Sequence, residues 1–396
     1  MGMAQQKKIK NAVKSPKLFE KLLFILFIGI IILNVGSTIW KFKAKYLSSN
    51  YWQNFPALEK VFLDSQYVNK HAKGFIPDEV AFSYAGGKLI KGTSPVLVVP
   101  DAPPLGKYII GLSTILFNND STFILVSAIL SLILLYFLSL QIFNNKLLAI
   151  LPPFFLSFEA IFKNQLAYAP LMDIFQVVFL LCMFLFFNKG LTSKKSLVLF
   201  ILASTFLGLF IATKFFITGF TIIAAWYIVL FFARDKRKII NLTLTLPISL
   251  LILLLSYVRV FSFGYTFNKF LGIQKWVFLY HKSFIILPFS TWPLLLLDRW
   301  YVWFGNKPVI SDAQWSITWP ILAVLFTITA LSYVFRKIPR NKNIEILMAW
   351  PIVYMGFLSL GQADSRYFVI LIPILYIVAV FGVKELLKLI LPHENK

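Results

Sequence analysis

The chain has 396 residues, of which 59% are hydrophobic and 14% charged, and 39 Lys and Arg against 16 Asp and Glu give a formal charge of +23. Average soluble domains run about 45–50% apolar and about 25% charged, so a soluble domain and a disordered tail are both excluded. The charge would suit nucleic acid on a hydrophilic chain, but here it accompanies 42 Phe, 16 Tyr and 10 Trp in long apolar runs. The single cysteine, Cys182, rules out an internal disulfide and a thiolate zinc cluster.

A helical span needs about 20 mainly apolar residues to cross a hydrocarbon core of about 30 Å. That length predicts an all-α polytopic membrane protein of about ten transmembrane helices. They fall near 22–39, 121–143, 147–158, 170–187, 196–212, 215–232, 240–257, 317–334, 345–361 and 367–383. The third is short and holds Pro152 and Pro153. The apolar stretch 284–297 is broken by Pro288 and Pro293 and reads as interfacial or re-entrant. A basic segment from Lys7 to Lys21 precedes the first run. No small-residue cleavage site follows it, so a retained helix is expected.

The short loops set orientation. Arg234-Asp235-Lys236-Arg237-Lys238, then Arg336, Lys337, Arg340 and Lys342, and also Lys189, Lys194 and Lys195, share a side with the basic N-terminus if there are ten spans. By the positive-inside rule that side is cytoplasmic. Both termini are then inside, and a prokaryotic plasma membrane is expected. The whole of 1–396 reads as one membrane domain without a soluble domain. It has a first outer loop at 41–120, carrying juxtamembrane helices, and a second long outer loop at 258–316. No internal repeat is visible, which disfavours a transporter or lipid flippase.

Most carboxylates fall at the outer face under this topology, among them Asp78, Glu79, Asp101, Glu159, Asp173 and Asp364. Lys107, Lys163, Lys214, His281, Arg299 and Arg366 lie there too. Ionisable groups at a membrane edge are costly and suggest function; the structural alternative for each cation is snorkelling to the headgroups. Pro77-Asp78-Glu79 places acids in the first turn of a helix, where free N–H groups favour them. A second juxtamembrane helix begins at Pro103-Pro104. Trp292, Trp300, Tyr301, Trp303, Trp315 and Trp319 read as an interfacial aromatic belt.

Asp78-Glu79 followed by Asp101-Ala102-Pro103-Pro104-Leu105-Gly106-Lys107 resembles the first outer loop of the protein O-mannosyltransferases, GT-C glycosyltransferases that use polyprenyl-phosphate sugars. Leu171-Met172-Asp173, the Gly208–Lys214 segment, His281 with Phe289-Ser290-Thr291-Trp292-Pro293 and Arg299, and Arg366-Tyr367 resemble further family segments in the same order. The chain departs at Ala102, where the family commonly has His, and at Ala167-Tyr168, where it has Ser-Arg. The resemblance implies a GT-C-like fold and an inverting hexosyltransferase, with mannose the leading sugar. The donor would be a polyprenyl-phosphate hexose and the acceptor a hydroxyl on protein or glycolipid, at the outer face. Asp78 would be the general base beside Glu79. Lys107, Lys214, Arg299 and Arg366 would meet the donor phosphate. Asp101, Asp173, His281 and Trp292 would support the site or the acceptor. No ligand spacing calls for a metal, and no nucleic-acid partner is expected. Helix capping for Asp78 and a turn role for Asp101 are the structural alternatives, and an inactive GT-C-like assembly subunit is the functional one.

Overall fold

The computed structural model describes residues 3–69, 71–72, 75–283, 287–302 and 308–390. Trp303 and residues 284–286 of the proline-broken stretch lie outside these residues. The chain opens with α1 (Met3–Lys41), α2 (Lys43–Leu47) and α3 (Tyr51–Leu63), followed by α4 (Asp78–Ile90) and α5 (Leu105–Phe117). Next come α6 (Thr122–Phe143), α7 (Lys146–Phe158), α8 (Ala160–Ala167), α9 (Asp173–Thr192), α10 (Ser196–Thr213), α11 (Thr218–Ala233) and α12 (Lys236–Ser256). The last third holds α13 (Val258–Ser262), α14 (Phe267–Ser283), α15 (Thr291–Leu297), α16 (Thr318–Val334), α17 (Lys342–Leu358) and α18 (Ile372–Ile390). A small antiparallel ribbon pairs β1 (Trp300–Tyr301) with β2 (Val309–Ile310).

Five helices are long and apolar enough to cross a membrane singly: the 18–41 part of α1, then α6, α9, α10 and α12. The pair α7 and α8, bent by 60°, makes a sixth if counted as one span. The shorter helices α5, α11 and α16 are also apolar. The protein is thus a multi-pass, all-α membrane protein, and the expected count of ten is not confirmed by helix length and composition. The break at α7–α8 falls at Glu159, just past the expected short third span at 147–158. Within the expected second long outer loop, 258–316, α13, α14 and α15 occupy much of the segment.

The core centres on α9, the most buried of the candidate spans. Phe187 stacks on Trp226 of α11 with ring centres 5.0 Å apart, and Phe184 meets Trp350 of α17 edge-on at 5.5 Å. Trp350 is fully buried, so its indole N–H needs a partner, and it donates to Thr221 Oγ1 at 3.1 Å. Small polar residues tie α10 to α12. Ser249 donates to the Ser204 carbonyl at 2.7 Å, and Ser204 donates to Thr245 at 3.0 Å. Such interhelical bonds suit lipid, where apolar burial does not drive helix pairing.

The membrane-edge helices are set by close backbone contacts. A Cβ at Gly86 of α4 would lie 3.0 Å from the Gly111 nitrogen of α5, and one at Gly111 would lie 2.6 Å from the Gly86 oxygen. Only glycine permits that crossing. At the start of α5, a Cβ on Gly106 would meet Met172 Sδ at 2.6 Å and Thr213 at 3.1 Å. Gly106 therefore lets α5 press against the entry to α9 and the end of α10, which carry Asp173 and Lys214.

Trp319, expected in the aromatic belt, is fully buried. Its indole donates to Glu159 Oε2 at 3.2 Å, and the other oxygen of this buried carboxylate accepts from Thr318 and Tyr376. Glu159 thereby joins the α7–α8 corner to α16 and α18.

Candidate active site

Asp78 is the first residue of α4, preceded by Pro77 in extended backbone (φ −62°, ψ 150°). Its Oδ2 accepts from Arg366 Nη1 at 2.7 Å. The two residues are 288 positions apart in sequence, so the fold brings the first loop to the turn before α18. Arg366 also lies 3.5 Å from Asp364 Oδ1 through its Nε. Asp364 in turn accepts the Arg366 backbone N–H at 2.9 Å, which fixes the turn. Burial opposes the charge on Arg366, but Asp364, Asp78 and Asp173 together outweigh it and hold the guanidinium firmly protonated. The Asp78 Oδ1 makes no hydrogen bond among the described residues.

Asp173 starts α9 and is buried, with an ion pair to Lys214 at the end of α10. Its second oxygen is buried without a hydrogen-bond partner among the described residues. The Lys214 ammonium sits 5.7 Å from the centre of the Tyr367 ring, within cation–π range. Arg366 and Tyr367, adjacent in sequence, thus join the two ion pairs.

Asp101, Lys107 and His281 form the flank of this group. Lys107 is fully buried and donates to the carbonyls of Val99 and Ala102 at 2.7 and 2.8 Å. Val99 has positive φ (50°), so the lysine holds a strained turn. Burial pushes Lys107 down to about 8, against the pull of Asp101. Burial likewise pushes Asp101 up, against Lys107 and His281. His281, near the end of α14, bonds through Nε2 to the Asp101 carbonyl at 2.9 Å and packs on Phe215 at 4.4 Å. Burial lowers its pKa, which favours a neutral imidazole. The late loop thereby clasps the first.

Not every expected residue takes the place expected of it. Lys107, expected at a phosphate, is committed to backbone carbonyls and closed off from solvent. Glu79 sits one position along α4 from Asp78, about 100° around the helix; burial lowers the pKa of Lys45 against the pull of Asp120 and, less, of Glu79. Arg299 is exposed after α15 and forms no ion pair among the described residues. Trp292 donates to Ser359 Oγ at 2.8 Å and, with Thr291 bonded to the Leu358 carbonyl at 2.9 Å, pins α15 to the end of α17. Among the described residues, no group of three or more His, Cys, Asp or Glu is placed to hold a metal ion.

Sequence reasoning missed two contributors. Asp364 shares Arg366, and its place two residues upstream was the available signal. Lys45, beyond α1, donates to the carbonyls of Ala167 and Ala169 at 3.1 and 2.8 Å, and Tyr46 donates to that of Leu166 at 2.6 Å. These bonds fix the segment leading into Asp173, across Ala167-Tyr168 where the family differs. Tyr168 itself is exposed.

A family model described as dolichyl-phosphate-mannose-protein mannosyltransferase matches residues 101–260, so the resemblance read from the motifs is borne out over that segment. Among solved structures, the chain is similar to the archaeal oligosaccharyltransferase AglB from Archaeoglobus fulgidus, solved with an inhibitory peptide and a dolichol-phosphate. The TM-score is 0.52 at 14% identity, over 94% of this chain and 52% of that one. A second similar structure is ArnT from Cupriavidus metallidurans bound to undecaprenyl phosphate, with TM-score 0.49 and 15% identity over 85% of this chain and 60% of that one. The chain therefore spans about half to three-fifths of these proteins' lengths. No curated protein matches it at significant similarity. The likeness to AglB bears out the GT-C-like fold.

Proposed function

We propose that the protein is an integral-membrane inverting glycosyltransferase that moves a hexose from a polyprenyl-phosphate carrier to a hydroxyl acceptor at the outer membrane face. The observation that carries this reading is the Asp78–Arg366 pair, formed across the whole chain beside Asp173–Lys214. It sets a half-exposed carboxylate against Arg366, while Lys214 holds Asp173, a carboxylate that Arg366 also feels. The family match over 101–260 supports the reaction class. Mannose is the leading sugar on the family's description, and the acceptor is a protein or a glycolipid.

In this reaction the acceptor oxygen attacks C1 of the sugar while Asp78 Oδ1 takes its proton. The C1–phosphate oxygen bond breaks, and the polyprenyl phosphate leaves with the bonding electrons. Glycosyl transfer of this type passes through an oxocarbenium-like state, and a placed base contributes about 10²–10⁴-fold. Charge grows on the leaving phosphate, so fixed cations there lower the barrier. Arg366 and Lys214 fill that role. Arg366 offers a planar set of donors and Lys214 a point charge. Lys107, His281 and Asp101 act as positioning residues that hold the loop between α4 and α5. The Arg366 pair orients Asp78 without using its second oxygen.

The test is incubation of the purified chain with polyprenyl-phosphate hexoses labelled in the sugar, together with membrane extracts as acceptor source. Label is expected in a protein or glycolipid fraction, with polyprenyl phosphate released in equal amount. Release of free sugar alone, or full retention of every donor offered, would count against transfer.

A further inference from the structure

A second polar site lies at the far end of the bundle. The helices α9 and α18 begin beside Asp173 and Arg366, and α17 ends just before Asp364. Followed to their other ends, helices of 17–20 residues extend about 26–30 Å. There they enclose a cleft of about 410 Å³ lined by Thr192, Arg340, Asn341, Lys342, Asn343 and Lys384 among others. It shares none of these residues with the Asp78 group.

The cleft carries excess positive charge that the protein does not neutralise. Arg340 and Lys342 are exposed and form no ion pair among the described residues. The acid in the wall, Glu385, is buried and bonded to Lys384 at 3.2 Å and to Lys388 at 2.9 Å, so its single charge faces two cations. The site thus offers cations for an anion. Exposed apolar side chains stand close to these residues along the chain: Val334 ends α16 and Phe335 follows it, and Val383 and Leu387 lie on either side of Lys384 and Glu385 on α18, each at least 40% exposed. Acyl chains would cover such side chains, whereas a free anion would not.

We propose that this cleft binds the phosphate headgroup of an anionic phospholipid in the leaflet opposite the Asp78 site. Basic pockets between membrane helices on the cytoplasmic side are suited to such headgroups, and arginine grips phosphate through paired N–H groups. The headgroup phosphate meets Arg340 and Lys342, and the chains lie along α18. The proposal does not depend on the transfer reaction.

The experiment measures lipid binding to the full chain in neutral detergent by native mass spectrometry. The probes are phosphatidylglycerol, phosphatidylcholine and inorganic phosphate. Wild type is expected to bind phosphatidylglycerol in preference to phosphatidylcholine, with millimolar inorganic phosphate failing to displace it. At about 1 kcal/mol per basic residue, Arg340→Gln with Lys342→Gln is expected to weaken phosphatidylglycerol about 30-fold and Arg340→Gln alone about fivefold. Both changes leave the Lys384–Glu385 pair intact, and unfolding temperature without lipid checks that each variant folds. Equal binding of the two lipids by wild type, or wild-type binding of phosphatidylglycerol by the double variant, overturns the proposal. Displacement by inorganic phosphate would instead mark a free-anion site and overturn the lipid assignment.

Discussion

The two ion pairs of the candidate site differ in how far the protein encloses them. Asp173–Lys214 is enclosed, with side chains 3% and 15% exposed, and it joins two helix ends in the bundle. Asp78–Arg366 is more open, at 35% and 23%, and joins two loops. Lys214 has one carboxylate partner, whereas Arg366 has a second in Asp364. Removing charge from Asp78 therefore leaves Arg366 compensated, while removing it from Asp173 strands a cation at the edge of the core. The open pair leaves one Asp78 oxygen without a hydrogen bond among the described residues; the closed pair holds the walls in place and fixes the Lys214 charge there.

The sharpest way to break this contrast is Asp173→Ala. Breaking a buried pair from one side costs about 3–5 kcal/mol, and a loss of that size is expected in unfolding stability, measured in detergent by thermal or chemical denaturation. Asp78→Asn is expected to stay within about 1 kcal/mol of wild type in the same assay, the usual range for a partly exposed pair. Equal losses in the two variants would erase the distinction.

Arg366→Lys tests the shared guanidinium. A lysine cannot reach Asp78 and Asp364 in the same planar geometry. Losing one charge-assisted bond of about 1.5–3 kcal/mol corresponds to about 10–100-fold in rate, read as transfer under saturating donor. An unchanged rate would show that a point charge suffices there.

Lys107 gives a pH signature. Its pKa is lowered to about 8 in the folded state by burial, so between that value and its ordinary value near 10.5 the unfolded chain binds the extra proton. Stability then rises with pH, by about 1.4 kcal/mol per unit across that window. The difference in unfolding stability between wild type and Lys107→Met, followed from pH 7.5 to 10, is expected to move toward wild type above pH 8. A flat difference would mean that the ammonium is not buried. Trp292→Phe is expected to have the smallest effect, about 0.5–1.5 kcal/mol for the lost bond to Ser359, with transfer retained.

Much of this site was legible in the sequence because its residues sit beside conformational markers. Pro77 announces the helix start at Asp78, and Pro103-Pro104 with Gly106 announces that of α5. Arg366 and Lys214 stood out as cations at the ends of apolar runs. What the sequence does not encode locally is which cation serves which carboxylate. Lys107 looked like a phosphate ligand, yet its depth and the two carbonyls at Val99 and Ala102 make it a strut. Lys45 carries no local marker in the sequence. Its bonds to Ala167 and Ala169 depend on a distant helix end.

The fold was legible at the level of class and less so in its divisions. Continuous apolar runs marked α6, α9, α10 and α12. The helix α14 mixes Lys269, Gln274, Lys275, His281 and Lys282 with its apolar residues, so it gave no membrane-length run and was read as loop. Trp319 was placed in an aromatic belt by its position near a span end. Only the packed structure shows that Glu159 draws its indole inward.

The central claim is that Asp78 is the base of a transfer reaction, and a side-by-side assay of wild type and Asp78→Asn tests it most directly. Both proteins would be purified in the same detergent, matched for unfolding temperature, and given the labelled polyprenyl-phosphate hexose that wild type uses. The expected result is transfer by wild type and a loss of about 10²–10⁴-fold in the variant, with donor binding preserved. Transfer by Asp78→Asn at the wild-type rate would contradict the account.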